Sequence, residues 1–350
     1  MDNNYFMGLD GFVWFTGVVE DRNDPSQLGR VKVRCLGYHT EDLNDIPTED
    51  LPWAHVMHPV TDPSMQGMGS SPSFLLEGSW VVGFFRDSRE KQQPVIMGTL
   101  PGYPQEVADT TKGFNDPNGT YPSSEITHSE HSTNESDVNR LARNETDKAH
   151  SVVAKKDTDY DADTAKDGKT KDVPIANVDT TWTEPSSAYA ATYPKNHVFE
   201  SESGHIKEID DTTDNERIHE YHTAGTFYEI DKDGNKSTRV VGSNYEVVAG
   251  SNYVNVKGDV NLTIDTNCNT YIKGDWNIQV DGSKTEVVTG AVSETYKDTK
   301  TENVTGAVSE TYEATKTENV TGAVSESYGS TQTTAVSSNL TVTASKIDLN

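Results

Sequence analysis

Apolar residues are spread unevenly along the chain, and their spacing divides it into three zones. From residue 1 to about 103 they cluster in short runs bounded by turn formers: Trp14 to Val19, Val31 to Leu36, Trp80 to Phe85 and Pro94 to Gly98. Runs of this length, rich in β-branched and aromatic residues, predict strands. Between the first two, the stretch from Asp24 to Gly29 supplies the proline and glycine that a chain reversal uses. Leu100-Pro101-Gly102 ends the zone. About five such strands in about a hundred residues predict a small closed β-barrel, because closure removes the exposed edges of a short sheet.

From 104 to about 194 Asp, Glu, Ser, Thr, Asn and Lys dominate, with few residues able to form a core. This composition predicts an extended polar linker. Its segment from Asp137 to Arg143 has the length for a helical turn or two, which needs a neighbour to dock on because isolated short helices are marginal in water.

From 195 to 350 the period changes to eight. Glycine recurs at Gly234, Gly242, Gly250, Gly258, Gly274, Gly282, Gly290, Gly306 and Gly322, with Thr266, Asp298 and Ala314 in the remaining places of that series. Two residues before each, beginning with the octad that ends at Gly242 and continuing to the next place in phase, Ser330, stands Val240, Val248, Val256, Ile264, Ile272, Val280, Val288, Tyr296, Val304, Tyr312, Val320 or Tyr328. Over the last part the period doubles to sixteen, since Thr299 to Tyr312 recurs almost unchanged from Thr315.

A period of eight is not helical; it reads as one strand and one corner per unit, stacked in a quasi-one-dimensional array. Glycine at the corner predicts a left-handed φ. A strand of five residues spans only ~17 Å, too little for one chain to enclose a core. Three chains wound about a common axis meet the need: each supplies one face of a triangular prism, the valine-type position points inward, and strands hydrogen-bond to the other chains. The predicted fold class is therefore all-β: an N-terminal barrel at 1–103, a polar linker at 104–194, and an intertwined triple-stranded β-helix of a homotrimer at 195–350. The competing geometry is a single-chain β-roll. Calcium-binding rolls need glycine- and aspartate-rich nonapeptides that do not occur here, and Ser243 to Gly250 shows no sixteen-residue alternation.

Composition sharpens this picture. Only 33% of the 350 residues are hydrophobic and mean hydropathy is -0.70, low for one large core. The formal charge of -27 argues against nucleic acid and anionic membranes as partners. Cys35 and Cys268 stand far apart in strand-like stretches, which predicts free, buried thiols rather than a disulfide. Met1 to Asp10 lacks a basic region before an apolar core, and no run is long enough to cross a bilayer, so a protein made soluble, without Sec export, is expected.

Candidate chemistry is sparse. Asp157, Asp159, Asp161 and Asp163 alternate as calcium ligands do, but Ala162 and Gly168 stand where an EF-hand loop needs glycine and a bidentate acid. That stretch reads as solvated linker. His55 with His58, and His219 with His222, have i, i+3 spacing in strand or loop contexts with no third ligand, so surface or core histidines are expected. Neither a Ser/His/Asp set nor a phosphate-binding loop stands out, and no catalytic, cofactor or metal residue is assigned. Glu286, Glu302 and Glu318 precede Val288, Val304 and Val320 by two, with Lys284, Lys300 and Lys316 two residues earlier. Alternation puts them on the inward face, as paired charges, water or ions, unless a local corner turns them outward.

The octad series, with Tyr193 to His205 and Ile209 to Thr212 before it, resembles the C-terminal β-helix of the baseplate central spike of contractile-tailed phages. It is similar also to the related valine-glycine-repeat spikes of type VI secretion. Leu28 to Val33 and Gln93 to Gly102 resemble that family's oligonucleotide/oligosaccharide-binding (OB) type barrel. The resemblance implies a structural, cell-puncturing spike in the tail baseplate of the virion, bound to the tail hub through the barrel. It also implies a separate tip protein of the proline-alanine-alanine-arginine repeat (PAAR) type, since Thr331 to Asn350 has no histidine or cysteine to hold a metal. Some members carry a lysozyme domain between barrel and β-helix. The polar linker here has carboxylates but no apolar wall to raise the pKa of one, so no enzyme activity is expected. A cell-wall hydrolase and a glycan-binding tail fibre are the alternatives.

Overall fold

The computed structural model describes residues 11–70, 72–87, 89–102, 113, 136–145 and 170–347. Five strands, β1 (Val13–Asp21), β2 (Val31–Cys35), β3 (Trp53–Val56), β4 (Trp80–Phe85) and β5 (Pro94–Thr99), close a barrel in the order β1-β2-β3-β5-β4. All pairs are antiparallel except β3 with β5. Alternation along the strands sends Phe15, Val19, Val31, Val33, Cys35, Val81, Phe85 and Ile96 into one apolar core. Gly83 lies where a Cβ would run into the Val95 carbonyl and sit 2.7 Å from the Phe15 ring, so only glycine lets β4 approach β5 here. Burial pushes the Cys35 thiol far above its usual range.

The reversal between β1 and β2 is built around Asp24. Its carboxylate accepts from the Ser26 and Leu28 amides and from the Arg30 guanidinium at 2.9 and 2.7 Å. The Arg30 bond, chiefly, holds that carboxyl far below the usual carboxylate range. On the outer side of the same hairpin, Glu20 and Arg34 form a fully buried ion pair. Thr48 donates to Glu20 at 2.8 Å, and Arg34 donates to the Thr40 and Ile46 carbonyls, each at 2.8 Å. The loop after β2 thus covers a face that alternation alone assigns to solvent.

Among the described residues of the span read as linker, β6 (Val173–Pro174) pairs with β7 (Thr181–Trp182), and a 3-10 turn (Leu141–Arg143) forms inside the Asp137 to Arg143 segment. Leu141 docks, fully buried, beside Ile206, Tyr221 and Phe227. These three belong to a second sheet of β8 (Asn196–Glu200), β9 (Ile206–Asp210), β10 (Arg217–Tyr221), β11 (Phe227–Ile230) and β12 (Lys236–Arg239), antiparallel in chain order. This corrects the expectation that 195–350 is β-helix throughout. Residues 196–239 satisfy their ladders within one chain, because turns such as Asp231 to Asn235, with Gly234 at φ 80, reverse it at once. Arg22 ties barrel to sheet, pairing with Glu202 through two 2.8 Å bonds, while Phe74 packs edge-on to Phe199 at 5.0 Å.

The covered face of this sheet carries charge. Arg217 donates to Glu208 at 2.7 Å and Glu229 at 3.1 Å, His219 bonds Glu208 at 2.8 Å, and Asn196 donates to Glu208 at 2.9 Å. Burial alone raises the Glu208 pKa, but the His219 bond and the Arg217 charge outweigh it and hold the carboxyl below its ordinary 4.5. A carboxyl depressed by folding adds stability that is present above its unfolded pKa and is lost as pH falls through the folded one. The urea midpoint of the wild type should therefore drop below about pH 4.5, and Glu208→Gln should flatten that drop; equal slopes in both proteins would contradict the assignment.

Candidate functional site

From Gly242 to Ile347 every residue is exposed. Among the described residues, none in this span makes a backbone–backbone hydrogen bond. The chain instead bends at residues 241–242 and again every eight residues through 337–338, with six extended residues between bends. The bends fall on Gly242, Gly250, Gly258, Gly274, Gly282, Gly290, Gly306 and Gly322 and equally on Thr266, Asp298 and Ala314, then continue at Ser330 and Ser338. Gly234 belongs to the β11–β12 turn instead.

The expected left-handed φ is absent from these bends; among the series only Gly234 has it. The corner is made with ordinary φ, and an added Cβ at Gly258 or Gly306 would meet nothing within 4 Å in this chain. That explains why threonine, aspartate and alanine serve in the same place, and it removes backbone strain as the reason for glycine there.

The bends shield one apolar position more than any other. Val240, Val248, Val256, Ile264, Ile272, Val280, Val288, Tyr296, Val304, Tyr312, Val320 and Tyr328, with Val336 in the same phase, are 40–56% exposed, against 61–92% for the other large apolar residues from Tyr245 to Val342. The same side carries the charges. Lys284 pairs with Glu286 at 2.7 Å, Lys300 with Glu302 at 3.9 Å, and Lys316 with Glu318 at 4.0 Å and Glu310 at 3.4 Å. The Tyr296, Tyr312 and Tyr328 hydroxyls donate to Glu294, Glu310 and Glu326 at 3.3, 3.2 and 2.9 Å. Lys300 and Lys316 each lie 5.2 Å from the ring of the tyrosine before them. Hydrogen bonding to Lys284 lowers the Glu286 pKa, and the lysine's own rises.

Glu286, Glu302 and Glu318 thus share a face with the valine series within the chain. Glu294, Glu310 and Glu326, overlooked in the sequence because tyrosine follows them by two instead of valine, complete the column. Among the described residues no three His, Cys, Asp or Glu side chains are grouped to hold a metal. His58 bonds Asp62 at 3.2 Å, His219 is buried on Glu208, and the His222 ring lies tilted against that of His205 with centroids 4.4 Å apart. Asp157, Asp159, Asp161 and Asp163 lie outside the described residues. Cys268, expected to be buried, is exposed in the single chain.

Comparison with known proteins agrees with the barrel. Protein Gp5 of Vibrio phage KVP40 (isolate Vibrio parahaemolyticus/Japan/Matsuzaki/1991) is 42% identical over 286 residues, which cover 76% of this chain. The pre-baseplate central spike protein Gp5 of Enterobacteria phage T4 is 45% identical over 114 residues, 31% of this chain. The matches span 66% of the first protein's length and 20% of the second's. A family model described as the Gp5 N-terminal OB domain matches residues 37–222, from just after β2 to the end of β10. With more than half of its length under that model and a closed five-stranded barrel to match, this chain belongs to the Gp5 N-terminal OB domain family.

Proposed function

We propose that the chain is a structural component of a phage tail baseplate, a homotrimeric spike that punctures the host envelope when the sheath contracts. The observation that carries this is the span from Gly242 to Ile347: alone it buries nothing, yet it keeps an apolar residue in one phase. Six extended residues between bends reach about 20 Å, one side of a triangular prism. Three such chains bury the shielded series on the axis and pair every backbone group with a neighbouring copy. A prism of this kind resists axial load because many strands must separate together. The name of the T4 relative, a pre-baseplate central spike protein, supports the baseplate setting. The tail hub as partner of the barrel, and a PAAR-type tip protein at the far end, follow from the family resemblance; the role itself needs no active site.

The thirteen bends from 242 to 338 imply a shaft of roughly 60 Å, at about 4.8 Å of axis per strand. Purified particles imaged by cryo-electron microscopy should show three copies on the tail axis with a shaft of that length. Absence of the chain from particles would overturn the reading. A lytic zone on peptidoglycan would favour a cell-wall hydrolase instead, and saturable glycan binding a tail fibre.

Cys268 offers a solution test, because it sits four residues before Ile272 and alternation places both on the shielded side. Its thiol should resist a maleimide in the native protein and react at once in denaturant. Immediate labelling of the native protein would place it outside the prism.

A further inference from the structure

We infer that the hairpin of β6 and β7 is a clasp, which each chain lays along the outside of the first octads onto a second copy of this chain. The hairpin closes at its base, where the Glu184 amide donates to the Thr170 carbonyl at 2.8 Å. Val173 pairs with Trp182, so both side chains leave the ribbon on one side, and alternation adds Ile175 to them. A two-stranded ribbon is marginal in water by itself and needs a surface to cover such a side. Two contacts fix where this one lies. Its base is held at the second sheet, where Arg239 donates to Glu184 at 2.6 Å. Its other strand reaches the octads, where the Thr263 hydroxyl donates to the Pro174 carbonyl at 2.9 Å. Thr263 stands three octads beyond Arg239.

Phase identifies what lies beneath the hairpin. Between bends, even-numbered residues share the side of the shielded series, so Thr263 and the other odd-numbered ones face outward. Near the hairpin the outward places are apolar: Tyr245, Val247 and Tyr253 are 87–92% exposed. Farther on, Tyr271 and Val287 stand singly, and from Ala291 to Thr343 the outward places between bends hold only alanine, serine, threonine and asparagine. In a threefold prism a chain steps to the next face at every bend. The strands beside any strand on its own face therefore belong to the other two copies, displaced by one octad. Headward of 259–264 that order is 251–256 of a second copy, then 243–248 of the third. A ribbon about 10 Å wide covers two strand spacings of about 4.8 Å, so a hairpin held at Thr263 and at the sheet lies on Tyr253 of the second copy. Covering that ring with Val173, Ile175 and Trp182 removes apolar surface from water on both partners. The clasp rests on the proposed trimer but lies outside its core, so the shaft assembles without it.

The test is photo-crosslinking of the purified full chain with benzoylphenylalanine at Trp182, and at Ile175 should the first variant fail to fold, with circular dichroism to check folding and sedimentation to check assembly. Light should give covalent dimers and trimers of the chain on a denaturing gel, absent in the dark, with the crosslink mapping to the peptide that holds Tyr253. Trimers that yield only products within one chain, or inter-chain products outside 243–256, would overturn the clasp and leave the trimer standing. A folded monomer in sedimentation would overturn the trimer itself and the clasp with it.

Discussion

Replacing Val256 by glutamate should abolish shaft assembly, whereas replacing Tyr253 by glutamate should leave it intact. In the single chain both side chains are exposed, at 52% and 92%, so neither change has a local reason to destabilise. The prism separates them. Val256 belongs to the shielded series, so threefold symmetry brings three new carboxylates to one level of the axis, where no lysine of the same octad faces them. An unpaired buried charge costs about 3–5 kcal/mol, so three of them remove on the order of 10 kcal/mol per trimer, comparable to the stability of a whole domain. Gel filtration of both variants reads the outcome. Equal trimer yields would show that the shielded series is not the core.

The second large effect is expected inside one copy. Arg217→Ala leaves Glu208 and Glu229 buried without their shared cation, although His219 and the Ala188 amide still bond them. Breaking one partner of a buried pair costs about 3–5 kcal/mol, while Lys232→Ala, at an exposed turn, should stay within ~0.5 kcal/mol. Urea unfolding followed by tryptophan fluorescence compares the two. A loss at Arg217 no larger than at Lys232 would mean that water or a neighbouring copy already serves these carboxylates.

Much of this architecture is legible in the sequence because hydrophobic phase is a local signal. Four barrel strands, β1, β2, β4 and β5, lie at the apolar runs that predict them, and the bends keep the octad register across Thr266, Asp298 and Ala314. β3 gives no such signal. It is four residues, Trp53 to Val56, held by a parallel partner far away in the chain. The Glu20–Arg34 pair is hidden for a related reason: alternation assigns both side chains to solvent, and only the loop around Thr40, Ile46 and Thr48 buries them.

The β8–β12 sheet misleads most. Its covered face sets Glu208, Arg217 and Glu229 among Ile206, Tyr221 and Phe227, while Ile209 and Ile218 turn away, a mixture that binary patterning does not lead one to expect in a half-buried sheet. Leu141, alone in a polar stretch, has no periodic partner to announce that it fills that core. The corner glycines show the opposite error, since a regular glycine invites an argument from positive φ that ordinary bends do not need.

The central claim, that the octads are one third of a shaft, is tested most directly by sedimentation equilibrium of the purified full chain across a range of concentrations. The account predicts a single species of three times the 38.4 kDa chain mass, persisting at the lowest concentration measurable. A folded, monodisperse 38.4 kDa species, with the octads as ordered as in the trimer, would contradict it.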